Sequence, residues 1–343
     1  MSNVKPKTGN HLHRKLRDIL CKDIYTGKYP DGAFLPAERE MAKKYGVSRV
    51  TVRGTLARME QEGLISRRQG DGTRIHLRTS GFQSDMDIIV VLAPAENPFF
   101  SSFINHFDAA AEANDTMVVF KAIGKNTMED ILFKFYQRGI RNAVVWPYDA
   151  PFCNDAFRRL RGLGMNIVLF DRVTDSGVVD CVSVDNEDAV IMLYKYLHKT
   201  CSSEVAYLGW ENHVITSNMA RESAFAGMGD KNLIYRLPWK REDDVDPDIS
   251  AVMEKMPHGI KGIICGNGII GIGVKKYCLS RRKNLTVACI DNLPGADTLS
   301  LTTYAQPMAK LASEVYTRLL LQGKQGENWN AKTIYIKGAL IRR

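Results

Sequence analysis

Ser48, Arg49, Thr51 and Arg53 fall within six residues of one another at the start of a helical pattern, with Arg39 on the segment before it. Arginine can grip guanine N7 and O6 in a major groove, while short hydroxyls and backbone amides hold phosphates. Such a set suits duplex nucleic acid. Gly70, in the turn Gln69-Gly70-Asp71-Gly72, lets the backbone itself approach a strand closely. A second set lies far along the chain. Asp171, Arg172, Asp185, Asn267 and Asp291 each follow or border an apolar run, where charged and amide groups can converge on the hydroxyls of a small ligand. Phe99, Phe100, Trp210 and Trp239 are available to cover an apolar sugar face. Asp185 and Asn186 read equally well as caps of the helix that follows them.

One stretch offers different chemistry. Gly266-Asn267-Gly268-Ile269-Ile270-Gly271 spells G-x-G-x-x-G after a short apolar run, and Asp291 ends the next run at the distance of a ribose-binding acid. The alternative it raises is a dinucleotide-binding α/β enzyme fused to a DNA-binding module. The motif stands late, after several strand-helix units, and a glycine turn before a helix is common in α/β sheets, so it ranks second. No Walker A, H-E-x-x-H or G-x-S-x-G run is present. Catalysis, a cofactor and a metal site are not expected.

These residues need elements to hold them. Leu12, Leu16, Ile19, Leu20 and Ile24 make residues 10–27 an amphipathic helix. Pro36 to Tyr45 predicts a short second helix with Pro36 near its start and Gly46 past its end. Ser48 caps a third, Arg49 to Glu62, whose stripe Val52, Leu56 and Met59 turns inward while Arg49 and Arg53 face solvent. Ile65 to Arg68 and Thr73 to His76, joined by the glycine turn, form a β-hairpin. The sum is a winged helix-turn-helix. Residues 77–86 are polar and aperiodic and read as a linker. From Asp87 onward, apolar runs (Ile88 to Leu92, Met117 to Phe120, Ala143 to Val145, Ile167 to Phe170, Val205 to Leu208, Gly262 to Cys265, Thr286 to Ile290) alternate with helical segments. That alternation predicts α/β architecture with two doubly wound parallel-sheet lobes.

Charge supports the division into residues 1–76, 77–86 and 87–343. Residues 1–78 hold 17 Lys and Arg against 8 Asp and Glu, and the remaining 30 of each sign cancel. The whole excess of +9 therefore sits on the small basic module, where phosphate neutralisation releases counterions. Seven cysteines without a C-x-x-C signal neither a disulfide framework nor a zinc cluster. Apolar runs too short to span a membrane, and a polar start, make a cytoplasmic protein the expectation.

The first module resembles the GntR-type winged-helix regulators. The resemblance rests on Leu35-Pro36-Ala37-Glu38-Arg39-Glu40-Met41-Ala42, Gly46-Val47-Ser48-Arg49-Val50-Thr51-Val52-Arg53, Gly63-Leu64-Ile65 and Gly70-Asp71-Gly72-Thr73. It implies operator contacts by Arg39, Arg49 and Arg53, helped by Ser48, Thr51 and Gly70. Gly54, where that family has a larger residue, is expected to weaken the helix by about 1 kcal/mol. The rest is similar to the effector domain of LacI-type repressors, which is periplasmic-binding-protein-like. The matching residues are Asn97-Pro98-Phe99-Phe100-Ser101, Phe170-Asp171-Arg172, Val184-Asp185-Asn186, Ala206-Tyr207-Leu208-Gly209, Arg221 with Phe225, and Thr302-Thr303-Tyr304-Ala305-Gln306-Pro307-Met308. The joined arrangement is similar to arabinose-responsive repressors. By this resemblance the effector contacts are Phe100, Asp171, Arg172, Arg221, Asn267, Asp291 and Gln306. The implied protein is a homodimeric regulator, a repressor on a palindromic double-stranded operator, released by a small sugar, a pentose or deoxyhexose. Two departures stand out: Asn267-Gly268 replaces an Asn-Asp pair, and Cys201-Ser202 replaces Gly-His.

Overall fold

A computed structural model of the chain describes residues 8–68, 70–77, 86–94, 98–123, 127–147, 150, 153–174, 176–201, 204–212, 214–239 and 245–343. Linker positions 78–85, together with Gln69, Asn97, Ser202 and His213, lie outside the described residues.

The chain begins with α1 (Thr8–Tyr25), α2 (Glu38–Tyr45), α3 (Arg49–Gln61), β1 (Ile65–Arg68) and β2 (Gly72–Ile75). Leu16, Leu20 and Ile24 on α1 and Val52, Leu56 and Met59 on α3 are all buried, so two stripes spaced by three or four residues meet face to face. α2 stops at Gly46, whose φ of 63° few side chains adopt, and Ser48 Oγ accepts from the Thr51 amide at 3.1 Å to start α3. β1 and β2 pair antiparallel with Ile65 opposite Ile75, and the turn contains Gly70 and Gly72 at φ 87° and 102°. The winged helix is thus built as its local signals predict. Gly54 acquires a reason: a Cβ there would stand 2.6 Å from the His13 ring, which hydrogen-bonds Thr55 Oγ1 at 3.2 Å. Its absent side chain lets α1 cross close over α3.

The body follows as β3 (Ile88–Ala93), α4 (Pro98–Glu112), β4 (Met117–Ala122), α5 (Met128–Gln137), β5 (Asn142–Val145), α6 (Asn154–Gly162), β6 (Asn166–Phe170) and β7 (Asp180–Val184). Next come α7 (Asn186–Cys201), β8 (Val205–Glu211), α8 (Thr216–Ala226), β9 (Ile234–Pro238), α9 (Asp246–Lys255), β10 (Gly262–Cys265), α10 (Gly268–Ser280), β11 (Thr286–Ile290) and β12 (Thr302–Ala305). The chain ends in α11 (Met308–Gln325), β13 (Thr333–Ile336) and β14 (Ala339–Ile341). Two sheets result, ordered β13-β7-β6-β5-β3-β4 and β14-β12-β11-β10-β8-β9. Their orders correspond strand for strand, an internal repeat of form that no sequence repeat announces. All pairs are parallel except β12 with β14. That last pair departs from the all-parallel expectation. Gly338 makes it feasible, because a Cβ there would strike the Ala305 carbonyl oxygen.

The chain crosses between lobes after β7, after β12 and after β13. α11 returns to the first lobe and is locked there by buried Asp180. That carboxylate accepts from Arg318 at 3.0 Å, Gln322 at 2.7 Å, Trp329 at 3.0 Å and the Lys332 amide at 2.8 Å. A buried acid so fully satisfied fixes the first lobe's edge against its own terminal segment.

Candidate functional site

The reading face of the winged helix is open. Arg39, Ser48, Arg49 and Gly70 are exposed, and Arg53 leaves 63% of its side chain to solvent. Arg53 pairs with Glu38 at 3.3 Å, and Glu38 also takes Arg67 from the wing at 3.0 Å. One acid therefore ties α2, α3 and the hairpin together. The exposed Arg53 pair contributes little stability, about 0 to 1 kcal/mol, and yields readily to a phosphate. Thr51 is mostly buried, its hydroxyl 2.9 Å from Ser48 Oγ, so it serves the cap before any DNA contact. Sequence reasoning missed Val50. It is 78% exposed at the first turn of α3, an apolar side chain on a polar face, suited to a thymine methyl.

The second site is a cleft beyond the strand ends of both sheets. Phe99, Trp146, Asp171, Asn267, Asp291 and Gln306 line it, with Trp210, Trp239 and Arg221. Strand geometry delivers the two acids. Asp171 follows β6 and Asp291 follows β11, both in the left-handed region, at φ 53° and 78°. Each donates its backbone N–H to the neighbouring strand, Asp171 to Val182 at 2.9 Å and Asp291 to Tyr304 at 3.0 Å. The corresponding strands of the two lobes thus end in the same strained corner, each presenting a carboxylate. Burial pushes the Asp171 carboxyl up to about 6; Arg221 opposes the shift and Asp291 adds to it. Asp291 is held by Gln306 Nε2 and by the Gly268 amide at 3.4 Å.

Arg221 is buried and already engaged. It donates to Asn186 Oδ1 and to the Gly266 carbonyl, each at 2.7 Å, so Asn186 serves to hold Arg221. Asn267 caps α10, accepting from Ile270 N at 2.9 Å, and Asp185 caps α7 through Asp188 N at 2.9 Å. Among the described residues two polar atoms in the cleft wall stay without a partner: the Asn218 amide nitrogen and the Gln306 amide oxygen. A buried donor and acceptor left open call for a ligand that supplies hydroxyls or for ordered water. The aromatic walls come from both lobes: Phe99 stands 5.6 Å from Trp146, and Trp210 meets Trp239 edge-on at 5.5 Å.

Two expected contacts lie outside the lining of this cleft. Phe100 does not line the cleft; it is 4% exposed, packed on Phe103, Phe120 and Trp146, because adjacent residues of α4 point to different faces and Phe99 takes the cleft side. Arg172, the residue after Asp171, is likewise not among the residues that line the cleft. Trp146, Ile215, Ser217 and Asn218 were not anticipated; only the tryptophan, one residue past β5, carried a positional signal.

The glycine motif is structural. A Cβ on Gly266 would lie 2.7 Å from the Tyr207 hydroxyl, one on Gly268 2.7 Å from Leu293, and one on Gly271 2.5 Å from Cys289. The glycines let α10 press on β11 and let the Gly266 turn pass close to Tyr207. Leu293 occupies the place where the Asn-Asp pair of the resemblance would project its acid. Among the described residues no group of side chains is arranged for a metal ion, and no helix is long and apolar enough to cross a membrane.

A winged helix followed by two corresponding sheets that share a ligand-sized cleft defines a two-lobed binding body with a nucleic-acid-reading front. The chain belongs to the family described as periplasmic binding proteins and sugar binding domain of LacI family, matched over residues 85–320, and its front matches bacterial regulatory proteins of the gntR family over residues 12–75. It is similar to the Fatty acid metabolism regulator protein of Pasteurella multocida, 31% identical over 107 residues, which are 31% of this chain and 43% of that protein. The chain spans half or less of the length of the first curated relatives it matches. Among solved structures, the trehalose repressor from Escherichia coli shares the fold with TM-score 0.63 at 14% identity, covering 75% of this chain and 100% of that one. A LacI family transcriptional regulator from Enterococcus faecium with bound ribose gives TM-score 0.62 at 17% identity, covering 75% and 97%. The matched families are regulators and binding proteins, not enzymes.

Proposed function

We propose that this chain is a ligand-responsive transcription regulator, a repressor that binds a palindromic operator as a homodimer and releases it when a small carbohydrate fills the cleft. The observation that carries the reading is the cleft: two carboxylates on matching corners of opposed lobes, between aromatic walls, with an unpaired amide donor and acceptor. Vicinal hydroxyls match paired carboxylates, and the apolar face of a sugar ring matches tryptophan. Arg221 is the one cation among the described lining residues and is already engaged, beside two acids, which favours an unphosphorylated sugar. A pentose or deoxyhexose suits the apolar place held by Leu293. Asp171, Arg221, Asn267, Asp291 and Gln306, with Phe99 in place of Phe100, are the proposed contacts; Arg39, Ser48, Arg49, Arg53 and Gly70 are those proposed for DNA, with Thr51 in support.

The reading divides the chain into a DNA module (1–76), a connector (77–86) and an effector body (87–343). Met117 and Phe120, 64% and 42% exposed on edge strand β4, support pairing of two copies along that edge. Ligand closing the lobes would shift the balance between two body shapes and change the spacing of paired winged helices; a tenfold loss of operator affinity needs about 1.4 kcal/mol of differential binding. Thermal unfolding against monosaccharides, phosphosugars, purines and nicotinamides tests this, since a ligand of the native state raises the melting temperature. A rise with a pentose or deoxyhexose supports the reading. A rise with NAD alone would overturn it.

A further inference from the structure

The winged helix does not hang free of the body. Arg17, Cys21 and Tyr25 recur every four residues on α1, one stripe of that helix, and they meet Tyr136, Phe133 and Asp130, spaced by three on α5. The Tyr25 ring stacks on Phe133 with centroids 4.4 Å apart and planes 8° from parallel, and its hydroxyl donates to Asp130 at 3.2 Å. The Cys21 sulfur lies 3.7 Å from the Tyr136 hydroxyl. Arg17 donates to that hydroxyl at 3.0 Å while gripping Glu62, just past the end of α3, through Nε at 2.8 Å and Nη2 at 2.6 Å. Arg141 lies over the Tyr136 ring at 4.2 Å. Leu77 presses on Gly162 of α6, where a Cβ would stand 2.8 Å from the leucine. The buried cores of the two modules accordingly run together, Leu16 to Ile75 of the front with Val90 to Cys181 of the first lobe.

An arginine and a tyrosine this buried, each serving the other across a module boundary, make a specific seam rather than a grazing contact. Removing either side would strand polar groups away from water. We infer that the α1–α5 seam fastens the winged helix to the first lobe as one rigid body, with Tyr136 as the residue that ties the lobe, through Arg17 and Glu62, to the end of the reading helix α3. Motion of the first lobe then carries the DNA-reading face with it. The seam itself stands apart from the regulator reading, since neither duplex nor sugar is needed to form it or to test it.

Cysteine accessibility in the full chain reports the seam directly. Cys21 is fully buried, Cys153 is exposed, and Cys181 and Cys289 are buried inside the two lobes. The native protein is pulsed with a thiol reagent and labelled positions are read by mass spectrometry. In the unaltered chain Cys21 stays protected while Cys153 labels. Phe133→Asp should raise Cys21 labelling by about tenfold or more, because labelling follows the population of the open seam, with Cys181 and Cys289 still silent as proof that the lobes remain folded. Phe133→Ala serves in its place if the aspartate variant does not fold, and Tyr136→Phe, which keeps the ring but removes the hydroxyl, should give an intermediate rise. Cys21 labelling as fast as Cys153 in the unaltered chain would overturn the inference. So would continued protection of Cys21 in the Phe133 variants, which would place its shielding within the winged helix alone.

Discussion

The reading face of α3 and the cleft between the lobes both depend on arginines, and they use them in opposite ways. Arg49 and Arg53 are held out in water with weak or no ion pairing among the described residues, whereas Arg221 is buried with two of its donors committed at 2.7 Å. A surface that must grip a polyanion keeps its charges available and contributes little to folding. A cleft fixes its charges beforehand, so that a ligand would meet oriented groups and the fold depends on them.

That contrast breaks most visibly if Arg221→Ala is as harmless to folding as Arg49→Ala. Deleting Arg221 leaves the buried Asn186 and the Gly266 carbonyl without their donor, and urea unfolding should show a loss of about 3 kcal/mol. Arg49→Ala should move that transition by less than about 0.5 kcal/mol.

Asp171 sharpens the cleft side through pH. Its carboxyl is raised from 3.8 to about 6 in the folded chain, so between those values the native state holds a proton that the unfolded chain has released. Stability should therefore fall as pH rises from about 4 to about 6 and level off above, by an amount on the order of 2 kcal/mol given partial solvent access. Asp171→Asn should flatten the profile in thermal unfolding across that range; an unchanged slope would remove Asp171 as its source.

On the reading face the effects belong to binding. Arg49→Ala should weaken a specific duplex by about 1 to 3 kcal/mol and relax base preference, measured by competition among duplexes. Ser48→Ala sits between the two regimes, since it removes the cap of α3 and should lower stability by about 1 kcal/mol while leaving the arginines in place.

The two regions also differed in how far the sequence disclosed them. The winged helix is made of near neighbours: a serine cap, a glycine stop and a glycine hairpin act within a turn or two of themselves, and their consequences can be read along the chain. The cleft is assembled from residues more than a hundred positions apart. Strand-end acids announced Asp171 and Asp291, because a residue leaving a parallel strand has few other places to go. The choice of Phe99 over Phe100 depended on how α4 is rotated against β3, and the pairing of Arg221 with Asn186 and Gly266 on how α8 lies against α7 and β8. Neither rotation leaves a local pattern. The matching strand orders of the lobes, the antiparallel β14 and the seam between α1 and α5 belong to the same long-range class.

Titration of the protein onto duplex fragments from the region upstream of its own gene, followed by fluorescence anisotropy from low to moderate salt, tests the division of labour between an exposed basic front and a cleft whose charges are already held. The account predicts binding that weakens steeply with salt, is reduced by Arg49→Ala and is relieved by a pentose or deoxyhexose in the unaltered protein. Absence of binding to any such duplex at low salt would contradict it.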